Sequence, residues 1–354
     1  MARANRSDVA KLAGVSLSTV SHVMNGRAAE LGFSEETARK VREAAEQVGY
    51  VPRAAARAFR YQASKVIGLF LGEIPESLHL PVFNELLLSA IEAATEMHYF
   101  VLPILLPLTR REEIPDIIRK TLQEVELAGA IVEVGSHDPA VFKLLVQSDI
   151  PIVWLNPGGP ASDLPGRASL GIAEGEGVGQ MLERIPTEQI KRPVYLTGPG
   201  PFPERLRPFA KKFAKYQVVQ ADSWLTPAGY NSTGRLLADG ELPDLIFAAN
   251  DLLALGALTA ARDLEVTIPH TIQLFSYGGF EQTGSPMIQL STVDWPLEQM
   301  GHMAVAALLQ ERSDWDQKWF AGAEVVTDGL SSQNALRLNL ASVAHPRGTT
   351  LRLS

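Results

Sequence analysis

Side chains with the types and spacing to do chemistry fall into two groups in this sequence, and neither is a catalytic set. The first group is local. Apolar residues at Val9, Leu12 and Ala13, and again at Val20, Val23 and Met24, keep helical spacing on either side of Gly14-Val15-Ser16, which breaks one helix and starts another. Ser16 is a suitable cap for the second helix, and Ala10 is small enough for the two helices to cross closely. With Val20, Val23 and Met24 turned inward, Leu17, Ser18, Ser21, His22 and Asn25 are expected on the outer face. Small polar groups and a methyl-rich side chain on one short exposed helix fit hydrogen bonds and apolar contacts to base edges in a DNA groove.

The second group is dispersed. Ligands of open parallel sheets bind beyond the carboxyl ends of the strands, so residues just after apolar runs are the ones to weigh. Asn156 follows the run 151–155, Asn250 and Asp251 follow 245–248, and Arg205 lies beyond 193–196. These four are expected to converge on one cleft. Catalytic readings are weak by comparison. Gly175-Glu176-Gly177-Val178-Gly179 faintly resembles a dinucleotide loop, but the next strand ends in Leu196-Thr197 without an acid for a ribose. Gly229-Tyr230-Asn231-Ser232-Thr233-Gly234 misses nucleophile-elbow spacing by one residue. Cysteine is absent and the seven histidines are scattered, so neither a metal site nor a cofactor is expected.

Elements must position both groups. After a connection read as a surface loop, residues 27–33, Ser34 is expected to cap a third helix with Glu35 and Glu36 in its first turn and Ala38, Val41, Ala45 and Val48 facing the first two helices. From Val66 the texture changes. Strands are expected at 66–71, 100–106, 129–134, 151–155, 169–172, 193–196, 216–219, 245–248 and 272–276, with helices such as 82–97, 112–126 and 251–263 between them. That alternation predicts parallel sheets covered on both faces. Pro103 inside a strand places that strand at an edge or a bulge.

Length and charge agree with a small module on a large body. The chain has 354 residues and a formal net charge of −8. Residues 1–65 hold 11 basic and 6 acidic residues (+5), and the other 289 hold 21 and 34 (−13). A basic head can neutralise phosphates while an acidic body stays off nonspecific DNA. No apolar signal region precedes the first helix and no run reaches membrane-spanning length, so a cytoplasmic protein without membrane contact is expected.

The run from Asp8 through Gly26, Asp-Val-Ala-Lys-Leu-Ala-Gly-Val-Ser-Leu-Ser-Thr-Val-Ser-His-Val-Met-Asn-Gly, resembles the helix-turn-helix of the lactose/galactose repressor family of bacterial transcription regulators. The likeness continues through Gly49-Tyr50-Val51-Pro52 and recurs from Phe247 to Ala257. It implies an N-terminal all-α helix-turn-helix head with a hinge helix, and an α/β body of two Rossmann-like subdomains of the periplasmic-binding-protein type, crossed three times by the chain. The expected boundaries are 1–62 for head and hinge and 63–340 for the body. Within the body, one subdomain takes about 66–167 and 295–322 and the other about 168–294 and 323–340, leaving 341–354 as a tail.

By resemblance, DNA contact falls to Leu17, Ser18, Thr19, Ser21, His22 and Asn25, and to Arg53, Arg57, Phe59 and Arg60 of the hinge, where Phe59 takes the place of a smaller minor-groove wedge. The implied partners are a pseudo-palindromic double-stranded operator, a small-molecule effector and a second copy of the chain. Residues 339–354 lack the heptads a tetramerising coiled coil needs, so a homodimer is expected. In the cleft, Arg205-Leu206-Arg207-Pro208-Phe209 resembles the family's arginine clamp with proline in a glycine's place, which makes Arg205 the expected clamp and Arg207 its substitute if the proline shifts the turn. Trp224 matches an aromatic that stacks on sugars, and Asn156, Asn250, Asp251, Tyr277 and Trp295 complete the expected effector site. Two departures stand out. Gly278 replaces a usual aspartate and Trp295 a polar neighbour, so the cleft is expected to be more apolar than a sugar site unless Glu281 swings in to supply the carboxylate.

Overall fold

The computed structural model describes residues 5–24, 27–50, 64–73, 81–107, 110–134, 139–156, 164–200, 203–239, 241–325 and 336–351. It divides into two units, Met1–Ser64 and Lys65–Ser354.

The first unit holds α1 (Arg6–Ala13), α2 (Leu17–Met24) and α3 (Glu35–Gln47). Each start is capped. Asn5 accepts from the N–H groups of Ser7 and Asp8 while the Asp8 carboxylate accepts from the Asn5 N–H, a reciprocal capping box. Ser16 Oγ accepts from the Thr19 N–H at 3.0 Å, and Ser34 Oγ from the Thr37 N–H at 3.2 Å. Gly14, at φ 66, ends α1 in the left-handed conformation that glycine adopts without a Cβ penalty. Val9, Ala10, Val20, Val23, Ala38, Val41, Ala44 and Ala45 form the core. Two details differ from the sequence reading. Leu12 is 49% exposed rather than inward, and the 27–33 connection is not wholly at the surface, because Ala28 is buried in the same core.

The second unit is built on two sheets. Its elements are β1 (Val66–Glu73), α4 (Pro81–Glu96), β2 (Phe100–Pro107), α5 (Ile114–Glu124), β3 (Gly129–Glu133), α6 (Lys143–Val146), β4 (Ile152–Leu155) and β5 (Ala168–Ala173). There follow α7 (Glu174–Arg184), β6 (Pro193–Thr197), α8 (Pro203–Lys212), β7 (Gln217–Gln220), α9 (Thr226–Ala238), β8 (Leu245–Ala248), α10 (Asp251–Asp263), β9 (Gln273–Gly278) and β10 (Ser291–Asp294). The chain ends through α11 (Leu297–Leu309), α12 (Gln317–Phe320), β11 (Glu324–Val325), β12 (Leu336–Ala341) and β13 (Ala344–His345). The seven-stranded sheet runs β11-β12-β5-β4-β3-β1-β2 and the six-stranded sheet β13-β10-β9-β8-β6-β7. Their strands pair in parallel except for β11 with β12 and β10 with β13.

All nine expected strands are present, and β2, which carries Pro103, is an edge strand. The first sheet is apolar on both faces: Ile67, Leu69, Ile131 and Val153 enter one core, and Phe70, Val132 and Trp154 the other. The subdomain boundaries need correction. β5 pairs with β4 and with β12, so 168–173, 324–325 and 336–341 belong to the first sheet, where Leu170, Leu338 and Leu340 are buried in its core. The expected tail is also structural, since β13 extends the second sheet and Thr349 and Thr350 are buried against it. The chain therefore passes between the sheets after β5, after β10 and after β12, the three crossings that the resemblance implies.

Candidate functional site

In the head, α2 presents its first turn outward. Leu17 is 54% exposed and Ser18 is exposed, while Thr19 and His22 are half-buried. Thr19 Oγ1 lies 2.9 Å from Ser16 Oγ, and the His22 ring stacks on Phe33 with centroids 6.2 Å apart. Ser21 departs from expectation. It is 6% exposed, because at 100° per residue it sits about 60° around the axis from Met24, and the inward stripe is wide enough to include it. Asn25, Arg53, Arg57, Phe59 and Arg60 lie outside the described residues.

In the body, two of the expected residues, Tyr277 and Trp295, pack against Arg205. This side chain rises from α8 and is 3% exposed. Its Nε and Nη2 donate to the two oxygens of Glu174 at 3.0 and 2.9 Å, and its Nη1 donates to the Ala249 carbonyl at 3.0 Å. The guanidinium carbon stands 4.1 Å from the centre of the Tyr277 ring and 4.7 Å from that of Trp295. Burial alone would pull the arginine pKa down, but the charge and hydrogen bonds of Glu174 outweigh it and hold the pKa above its ordinary value. Burial, then the negative charge of Glu174, pushes the Tyr277 phenol well up. Arg207 is not a substitute clamp, because it is exposed and paired with Glu204 on its own helix.

Asp251 is corrected from ligand contact to internal hub. It is fully buried and accepts from Ser276 Oγ at 2.5 Å, Thr292 Oγ1 at 2.8 Å, Thr283 Oγ1 at 2.9 Å and the Phe280 N–H at 3.0 Å. Four donors satisfy a carboxylate. The hub also explains the missing aspartate: Gly278 sits at φ 156, and a Cβ there would lie 2.9 Å from Asp251 Cγ. Glu281 remains exposed on a short helical turn. Asn250 is spent locally, capping α10 through the Leu253 N–H and donating to the Trp224 carbonyl. The Trp224 ring is 8% exposed and packs so closely on Gly198 that a Cβ there would meet it at 2.4 Å, so its main work is core packing. Asn156 lies just past β4 with φ 48, its N–H donating to the Leu170 carbonyl.

Glu174 is the site residue that sequence reasoning missed. The available signal was its position immediately after β5, the same rule that picked Asn156 and Asn250. Glu133 at the end of β3 was missed too; it accepts from the Gly72 N–H at 3.3 Å, and burial pushes its carboxyl up. The suspected dinucleotide loop is a packing device, since a Cβ at Gly177 would strike Val293 at 2.4 Å and Ser342 Oγ at 2.5 Å. Among the described residues no group of three His, Asp or Glu could hold a metal ion, and no helix is long and apolar enough to cross a membrane.

Residues 7–53 match the family model for bacterial regulatory proteins of the lacI family, and residues 191–318 match that for a periplasmic binding protein-like domain. Among curated proteins, the chain is 28% identical over 314 residues to the HTH-type transcriptional repressor PurR of Edwardsiella ictaluri, covering 85% of this chain and 88% of that one. It is 26% identical over 313 residues to the sucrose operon repressor of Streptococcus mutans, covering 87% and 92%. Among solved structures, the lac repressor dimer bound to operator and an anti-inducer superposes with a TM-score of 0.79 at 20% identity, over 99% of this chain and all of that one. A CelR–cellobiose complex superposes at 0.64 and 21%, over 98% and 100%. The capped helix-turn-helix head thus carries a lacI-family domain and the two-sheet body a periplasmic-binding-protein-like domain, on the fold of the lac repressor.

Proposed function

We propose that this chain is a sequence-specific DNA-binding transcriptional regulator that acts as a repressor, with a body whose conformation sets its affinity for the operator. The observation that carries the reading is the exposed first turn of α2, Leu17 and Ser18, on a capped helix-turn-helix that matches the lacI family model. Leu17 is shaped to meet thymine methyls, Ser18 to bond either base of a pair, and His22 to reach a purine acceptor. Thr19 and the hinge residues Arg53, Arg57, Phe59 and Arg60 add backbone and minor-groove contacts, with Phe59 as a wedge that bends the duplex. The PurR and sucrose operon relatives are repressors.

A dimer reads a palindrome through paired heads. The exposed apolar side chains Leu88 and Ile91 on α4 and Phe100 on β2, the last 72% exposed, are the surface we assign to that pairing. An effector that prefers one body conformation shifts DNA affinity by linkage, because DNA prefers one arrangement of paired hinges. The test is selection from randomised duplex DNA by the purified full-length protein. Enrichment of a palindromic sequence, and a changed preference when residues 17 and 18 are exchanged, supports the reading; an unchanged preference rejects the assignment of α2.

A further inference from the structure

The Arg205 cluster sits on the hinge of the body. Glu174 is the first residue after the β5 crossing, Trp295 the first after β10, and Ser342 the first after β12. Ser342 Oγ donates to the Ala173 carbonyl at 2.9 Å and accepts from the Gly177 N–H at 3.2 Å, tying the first and third crossings. Asp294 donates its N–H to the Val343 carbonyl at 2.9 Å, and its carboxylate accepts from the Val343 N–H, tying the second and third. Arg205 adds the remaining tie, with Glu174 on one side and the Trp295 ring on the other.

We infer that Glu174 is a built-in ligand of Arg205, which holds the three crossings together without any small molecule and closes the cleft to anionic ligands. This rests on the reading of the body as an effector-binding unit. Arg205 is buried, and a carboxylate already engages its planar fork from two nitrogens, the geometry in which arginine would otherwise take a carboxylate or phosphate. An anion must either displace Glu174, leaving a carboxylate beside it without its partner, or bind next to it against like charge. Glu85 on α4 lies near Glu298 and Asp294, and burial followed by those two charges pushes its carboxyl up. Uncharged ligands meet none of this opposition.

The experiment is calorimetric titration of the full-length protein at fixed ionic strength with inorganic phosphate, with adenosine monophosphate and with adenosine. The wild type should show no saturable binding of phosphate or of the monophosphate. Glu174→Gln, which keeps the shape and removes the charge, should bind phosphate at least about tenfold more tightly, a change of about 1.4 kcal/mol. Glu174→Asp, which keeps the charge, should stay as blind to phosphate as the wild type. Saturable phosphate binding by the wild type that Arg205→Gln abolishes overturns the inference, and that measurement does not depend on whether a Glu174 variant folds. A folded Glu174→Gln with no gain, or an equal gain in Glu174→Asp, also overturns it. Operator selection is scored separately, so a chain that binds no DNA would reject the proposed function and leave these binding results standing.

Discussion

The recognition helix and the cleft make opposite use of polar side chains. In α2, Leu17 and Ser18 stand exposed on a helix fixed by caps and a small core behind it. In the cleft, Asp251, Asn250 and Arg205 are each engaged by neighbours from the same chain. A surface that leaves its groups facing solvent is prepared for a partner whose shape varies little, as duplex DNA does. A cleft whose groups bond one another holds its own conformation, and a ligand must compete with the protein to enter.

The sharpest way to break this contrast is at the hub. Asp251→Ala removes the acceptor for three hydroxyls and one N–H in a fully buried position, and should destabilise the body by about 3 to 5 kcal/mol. Urea unfolding followed by tryptophan fluorescence measures it; a loss below about 1 kcal/mol would mean the network contributes little. Next is Gly278→Asp, which restores the residue usual in the family. Its Cβ would lie 2.9 Å from Asp251 Cγ in a conformation that L residues rarely adopt, so a loss of about 2 to 4 kcal/mol is expected, with no gain in sugar binding. A stable variant that binds a monosaccharide would show that Asp251 leaves room for a side chain at position 278.

The head should respond differently. Leu17→Ala and Ser18→Ala are expected to leave the unfolding midpoint unchanged and to alter discrimination by about 1 to 3 kcal/mol at single base pairs. Ser21→Ala should do the reverse, shifting stability slightly and base preference not at all, because Ser21 is buried. The smallest effect is expected at Ser16→Ala, which removes the cap on the Thr19 N–H and should cost about 1 kcal/mol of head stability by calorimetry of the unfolding transition.

Legibility in the sequence follows the range of the interactions. The central strands could be read because both faces are buried and the apolar runs are continuous, as in Ile152–Leu155. β10 could not: Ser-Thr-Val-Asp is polar because its hydroxyls serve the hub and the tail, whereas Leu-Arg-Leu-Asn-Leu-Ala of β12 alternates as a strand does and was passed over. Missing β12 misplaced the subdomain boundary, since nothing local says that 336–341 pairs with 168–173. In α2 the caps and the inward stripe are set by residues three or four apart, and only the width of the stripe at Ser21 escaped. In the cleft the rule about strand ends found the right positions but not their partners. Glu174 and Arg205 are 31 residues apart, and Asp251 and Thr292 are 41 apart. Arg205 and Asp251 read as free ligand contacts until the fold shows which side chains already hold them.

Base reading by α2 is tested by the sequence preference of the full-length protein, measured by selection on random duplexes with the wild type beside a variant with residues 17 and 18 exchanged. A palindromic site is expected for the wild type and a symmetric change in both half-sites for the variant, with equal thermal stability of the two proteins. Identical preferred sequences from the two proteins, or no enrichment by the wild type, would contradict it.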